Sequence, residues 1–264
     1  MRRSSLFWGV MVLVAGIILM LINWGFLPYT FGQLFWPIAI ILAGVWLLVG
    51  PYLSKRSASE ESVSIPLEGA VEAIVQLNHG AGRVEVSALD SSTELMAGSF
   101  FGGVETEINR SEGKVRLHLN ASGDAWAFPG PMHPGFSWKF GLNRNIPLQL
   151  EVKSGASQTT LNLADLRVTE LKIDTGASAT EVTLPTHPGF IRMVVHSGAS
   201  SLNIHVPEGV SAQITIKSGL AGIHVNPARF ARIGDNLYQS ADYATAMDRA
   251  EIHVETGVGS VDIG

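Results

Sequence analysis

The stretch VKSGASQTTLNL, residues 152–163, returns as IDTGASATEVTL at 173–184 and as VHSGASSLNIHV at 195–206. Looser copies are LNHGAGRVEV (77–86), IKSGLAGIHV (216–225) and VETGVGSVDI (254–263). A glycine-rich loop can cradle a phosphate, but such a loop occurs once and opens a helix. Here the motif occurs six times and leads into alternating apolar and polar residues. The spacings Gly155 to Gly176, Gly176 to Gly198 and Gly198 to Gly219 are 21, 22 and 21 residues. A period of that length is the mark of a solenoid with one rung per repeat.

The residues five and three before each glycine are apolar: Val75 and Leu77, Leu150 and Val152, Leu171 and Ile173, Met193 and Val195, Ile214 and Ile216, Ile252 and Val254. Their neighbours are mostly polar, so each segment reads as a strand with one buried face. After the glycine the apolar pairs fall six and eight residues on (Leu161 and Leu163, for example) or four and six on (Val84 and Val86). This predicts two turn lengths, the shorter ones carrying an extra glycine at Gly82, Gly222 or Gly259. Gly80, Gly155, Gly176, Gly198, Gly219 and Gly257 are then structural corners, with glycine supplying a positive φ.

The N-terminal part is a different material. No Asp, Glu, Lys or Arg occurs between Arg3 and Lys55. Residues 6–27 and 34–53 are each long and apolar enough to cross a hydrocarbon core of ~30 Å as helices. Only PYTFGQ joins them, which predicts a transmembrane helical hairpin over 1–56. Trp8, Trp24, Tyr29, Trp36 and Tyr52 fall near the span ends, where amphipathic rings settle. Arg2, Arg3, Lys55 and Arg56 flank the hairpin on one side, so the positive-inside rule puts both termini in the cytoplasm. A cleaved signal peptide fits less well, because the run is long and a second span follows at once. The expected arrangement is a membrane-anchored all-β protein: hairpin, polar linker at 57–70, and a β-solenoid-like stack over 71–264. The lipid bilayer is then its first partner and the inner membrane its location.

Setting the four flanking basic residues aside leaves 14 basic and 23 acidic residues, a net of 14 − 23 = −9. Such a domain is repelled by nucleic acid. Cysteine is absent, which excludes disulfides and thiolate zinc sites. His205 and His224 share a strand position and would stack on adjacent rungs, in an outward row with Glu85, Asn162, Thr183 and Asp262. Zinc needs three or four convergent ligands, so this row reads as a solvated surface, and no metal, cofactor or catalytic residue is expected.

Two segments break the repeat. Residues 120–145 hold Trp126, Phe128, Phe136 and Trp138 among several prolines. These aromatics either contact a partner or the membrane, or fold back to cap an open end of the solenoid. Residues 228–250 carry turn signals with Tyr238 and Tyr243 and read as a hairpin-like excursion.

The spans GVMVLVAGIILMLINWGFLP and LFWPIAIILAGVWLLVG resemble the LiaF-like transmembrane region of bacterial membrane proteins. The remainder is similar to the toastrack domain of LiaF-like and PspC-associated proteins, through IPLQLEVKSGASQTTLNLADLRVTELKIDTGASATEVTLP and the ending YATAMDRAEIHVETGVGSVDIG. The resemblance implies a β-rich cytoplasmic domain without known chemistry, serving envelope-stress signalling. The function expected is a non-enzymatic scaffold or regulator that binds membrane or signalling proteins. The competing expectations are a self-assembling homo-oligomeric array and a small-ligand sensor using residues 120–145.

Overall fold

The computed structural model describes residues 60–121 and 136–264. Among these residues no helix is long and apolar enough to cross a membrane. The expected hairpin lies outside them, and so do residues 57–59 of the expected linker. The rest of that segment is not a linker, because residues 60–66 pair as a strand and Ile65 and Ala70 are buried in the core. The described part is all-β, thirteen strands in one continuous hydrogen-bonded sheet.

Five long strands carry the repeat: β2 (Glu72–Leu89), β7 (Pro147–Asn162), β8 (Arg167–Thr183), β9 (Phe190–His205) and β10 (Ser211–Val225), joined by a sixth, β13 (Arg249–Ile263). All six run parallel in the order β2-β7-β8-β9-β13-β10. Parallel neighbours ordinarily need a crossover of a dozen or more residues. Here residues 163–166 alone join β7 to β8. A straight strand of 16 residues would end roughly 50 Å from its start, and a four-residue link reaches roughly 17 Å at most. Each strand must therefore double back, and it does so at its glycine. Burial in β7 falls on Leu148, Leu150 and Val152 before Gly155 and on Ser157, Thr159 and Leu161 after it, a change from even to odd numbers. Both arms face one core.

The twelve predicted inward positions before the glycines are all buried. The two predicted turn lengths are not observed. Register runs unbroken through the bend, so the fourth residue after each glycine aligns throughout: Val84 opposite Thr159, Thr159 opposite Thr180, Thr180 opposite Leu202. Thr159 and Thr180 are buried where the pattern calls for apolar residues. They are tolerated because their hydroxyls meet Ser157 and Ser178 at 3.2 and 3.3 Å.

The spatial order departs from the chain order at β13, which lies between β9 and β10. The connection 206–210 must step over it. Arg229 secures that step, its guanidinium donating to the carbonyls of Val206, Pro207 and Val210 and lying 5.0 Å over the Phe230 ring. The excursion at 228–250 contains the short antiparallel strands β11 (Ala231–Arg232) and β12 (Leu237–Gln239). β12 covers β10 at Gln213–Thr215.

At the far end the last rung is split. β5 (Lys114–Ala121) pairs with the first arm of β2, and β6 (Phe136–Asn143) with its second arm. Asn120 lies opposite Asn78 and Phe136 opposite Gly82. The split rung therefore spans 136 − 120 = 16 residues where β2 uses 82 − 78 = 4. The aromatic segment is an insertion at the bend of this rung. Antiparallel strands finish this end: β4 (Val104–Ser111) on β5, β3 (Glu94–Phe101) on β6, and β1 (Glu60–Pro66) on β3.

Candidate functional site

The bends of successive rungs form a column, and the motif S/T-G-A-S explains itself there. None of the six corner glycines has a positive φ. The expected reason for glycine is thus corrected: the constraint is space between rungs. A Cβ on Gly155, Gly176 or Gly198 would sit 2.7, 2.8 and 2.8 Å from the carbonyl oxygen of the preceding rung's glycine. Gly257 against Gly198 and Gly219 against Gly257 give 2.6 and 2.8 Å. The positive φ belongs instead to Gly82 and Gly259, both at +136° and both two residues past the corner. Their counterparts in three other rungs are Ser157, Ser178 and Ser200. Each of those hydroxyls donates across the bend to the hydroxyl preceding the glycine, Ser154, Thr175 or Ser197, at 2.8, 2.9 and 2.8 Å. The conspicuous glycine hid these serines as structural clamps, although the recurring SGAS was the signal.

On the outer side of the bend, two residues before each glycine, register lines up Lys153, Asp174, His196, Glu255 and Lys217. His196 Nδ1 is 2.9 Å from Asp174, and Lys217 Nζ is 3.1 Å from Glu255. His253 Nε2 approaches the same Glu255 carboxylate at 3.0 Å. Hydrogen bonds from His253 and Lys217, with the lysine's charge, hold the Glu255 carboxyl below its ordinary range. Asp174, His196, Glu255 and Lys217 border a shallow open groove of about 740 Å³, together with Gly198 and Gly257. Among the described residues no group of three His, Cys, Asp or Glu side chains could hold a metal ion. His205 and His224 do not stack as expected. His224 is opposite Asp262, which is opposite Asn203, because β13 intervenes and the register is uniform.

The predicted contact residues separate. Trp126 and Phe128 lie outside the described residues. Phe136 is half-buried, and Trp138 is fully buried opposite Val84. Trp138 sits on the inward phase of β6 and belongs to the core, so it presents no surface to a partner. Its ring lies 5.6 Å from Phe100 and 4.7 Å from His79, both edge-on. His79 replaces the Ser or Thr that precedes every other corner glycine. It is buried, and neither ring nitrogen has a hydrogen-bond partner among the described residues. Burial pushes its pKa down to about 4, so it is neutral at pH 7.

A stack of parallel, doubled-back rungs held by a glycine column defines a β-solenoid-like domain, in which each rung contacts only its neighbours. The family model described as the N-terminal domain of toast_rack, DUF2154, matches residues 54–205, and the chain belongs to that family. The matched region ends at the last residue of β9, yet the sheet continues through β13 and β10. A crystal structure of a candidate cell adhesion protein from Clostridium sporogenes has the same fold, with a TM-score of 0.71 at 20% identity. The match covers 78% of this chain and 98% of that one. No curated protein matches.

Proposed function

We propose that this chain is a non-enzymatic scaffold or regulator of the bacterial cell envelope. The hairpin at 1–56 tethers it to the inner membrane as a LiaF-like region would, and the β stack stands on the cytoplasmic side to bind membrane or signalling proteins. The observation that carries this reading is the outer row at the bends. Lys153, Asp174, His196, Glu255 and Lys217 stand on consecutive strands about 4.8 Å apart. A row in which acidic side chains alternate with lysine and histidine beside an open groove suits recognition of another protein's surface. It suits a small substrate poorly, because nothing there excludes water.

Two experiments test this. Capture from membranes with the full chain as bait should recover a defined partner set. Charge reversal at Asp174→Lys with Glu255→Lys should remove members of that set while leaving the melting temperature within a few degrees. Identical recovery by both baits would remove the groove from the proposal. For the orientation, a reporter fused after Gly264 should work as a cytoplasmic fusion, and alkaline phosphatase activity there would reverse it.

A further inference from the structure

We propose that the uncovered half of β10 is a self-association edge, pairing antiparallel with the same strand of a second copy of this chain. The starting point is an unfinished end. β12 covers β10 only at Gln213–Thr215, and Ile216 donates to Asn236 beyond it. From Ser218 to Val225 one side of the strand has no paired strand among the described residues. Its core-facing side chain Ile223 is 39% exposed, whereas Val84, Leu202 and Val261 in the same column are buried. The residue following the corner glycine changes as well. It is Ala81, Ala156, Ala177 and Ala199 on four rungs, then Val258 and Leu220 on the two at this end, 52% and 81% exposed. Large apolar groups thus replace alanine only where the stack stops.

The occupant follows from a comparison of the free edges. β1 carries Glu60 and Glu61, β4 carries Glu105, Glu107 and Arg110, and β11 carries Arg232. Charges on an edge strand are the usual guard against pairing. From Ser218 to Val225, SGLAGIHV, there is no Asp, Glu, Lys or Arg. Head-to-tail growth would have to join this strand to a guarded edge, so an open filament is disfavoured. Two copies of the unguarded edge meet without repulsion around a two-fold axis, which makes their strands antiparallel and closes the assembly at two. Each copy then supplies backbone donors and acceptors to the other and covers the other's Ile223. The edge adjoins the outer groove at Lys217 and Ser218, but its readout is the mass of the chain's own assembly and not capture of another protein.

The test uses the full chain in mild detergent. Light scattering should give the mass of a dimer, and Leu220→Lys with Ile223→Lys should halve it while the circular dichroism spectrum stays that of the folded chain and the melting temperature loses its dependence on protein concentration. A cross-link checks the contact without weakening it. The chain has no cysteine, and a Cβ at Gly222 meets nothing within 4 Å, so Gly222→Cys fits the folded strand. Oxidation should link Gly222→Cys chains in pairs and leave Thr106→Cys chains, altered in β4, unlinked. If the lysine variant unfolds, the cross-link decides alone. A monomeric parent, a dimer that survives the lysines, or equal linking at both cysteine positions would overturn the proposal. So would a monomer whose β10 is protected only by an unrelated protein.

Discussion

At one end of the stack the split rung is overlaid by antiparallel strands, and Trp138, Phe100 and Phe140 fill the space beneath them. At the other, β10 keeps the small-residue alphabet of the repeat, and half of it faces solvent. Both ends face the same difficulty, a core whose last layer has no successor. The first is closed by residues that left the repeat. The second is left for a strand from elsewhere. The difference teaches that a rung's sequence reports on its place: the corner stays glycine on every rung, while the residue after it is alanine on the first four and becomes Val258 and Leu220 on the last two.

The largest effect should separate the ends. Trp138→Ala should destabilise the domain by about 3–5 kcal/mol through the cavity it leaves, whereas Leu220→Ser should stay within ~0.5 kcal/mol. Similar denaturation midpoints for the two variants would erase the distinction. Next is a pH effect confined to the closed end. The His79 pKa lies at about 4 in the folded chain against an ordinary 6.5, so the unfolded chain binds the extra proton between those values. Its contribution is fully present above pH 6.5 and is lost as pH falls towards 4, a total of about 3 kcal/mol. Urea titrations across that window should show a shallower slope for His79→Ser than for the parent, and equal slopes would refute the assignment.

A glycine pair sharpens the same comparison. Gly176→Ala forces a methyl against the Gly155 carbonyl and should destabilise by about 1–3 kcal/mol. Gly222→Ala has open space and should be neutral or stabilise by up to about 1 kcal/mol. Melting shifts of one sign at both positions would contradict the column. The clamp comes last: Ser178→Ala should lose about 1–2 kcal/mol in the interior by removing the bond to Thr175 and the acceptor of the buried Thr180 hydroxyl. A loss below the error of chemical denaturation would show that the hydroxyl pairs are incidental.

The strands and their inward faces were legible because alternation is a local signal, and residues such as Leu150 and Val152 obey it without exception. Three things were not. Thr159 and Thr180 hid the uniform register, since a bonded hydroxyl in a core looks like a surface residue in sequence. The glycines announced a special position but not its kind, because positive φ and close stacking select the same residue. The placement of β13 left no trace either. The link from β9 to β10 is as short as those between true neighbours, and a period of 21 cannot say which rungs touch. At the candidate site, Asp174 and Glu255 lie far apart in the chain, and only the register brings their row together.

The position of β13 has a consequence in time. β10 ends at Val225 and β13 at Ile263, so 263 − 225 = 38 residues separate their completion. At ribosomal speeds of about 5–20 residues per second, β10 waits for seconds while strand pairing proceeds in microseconds. Throughout that interval the side of β9 that β13 will take is open to β10, a strand with the same glycine, the same spacing and the wrong address. The rungs up to β9 can be laid down in the order they are made. The last two cannot: β10 reaches its final neighbour only once β13 has been made.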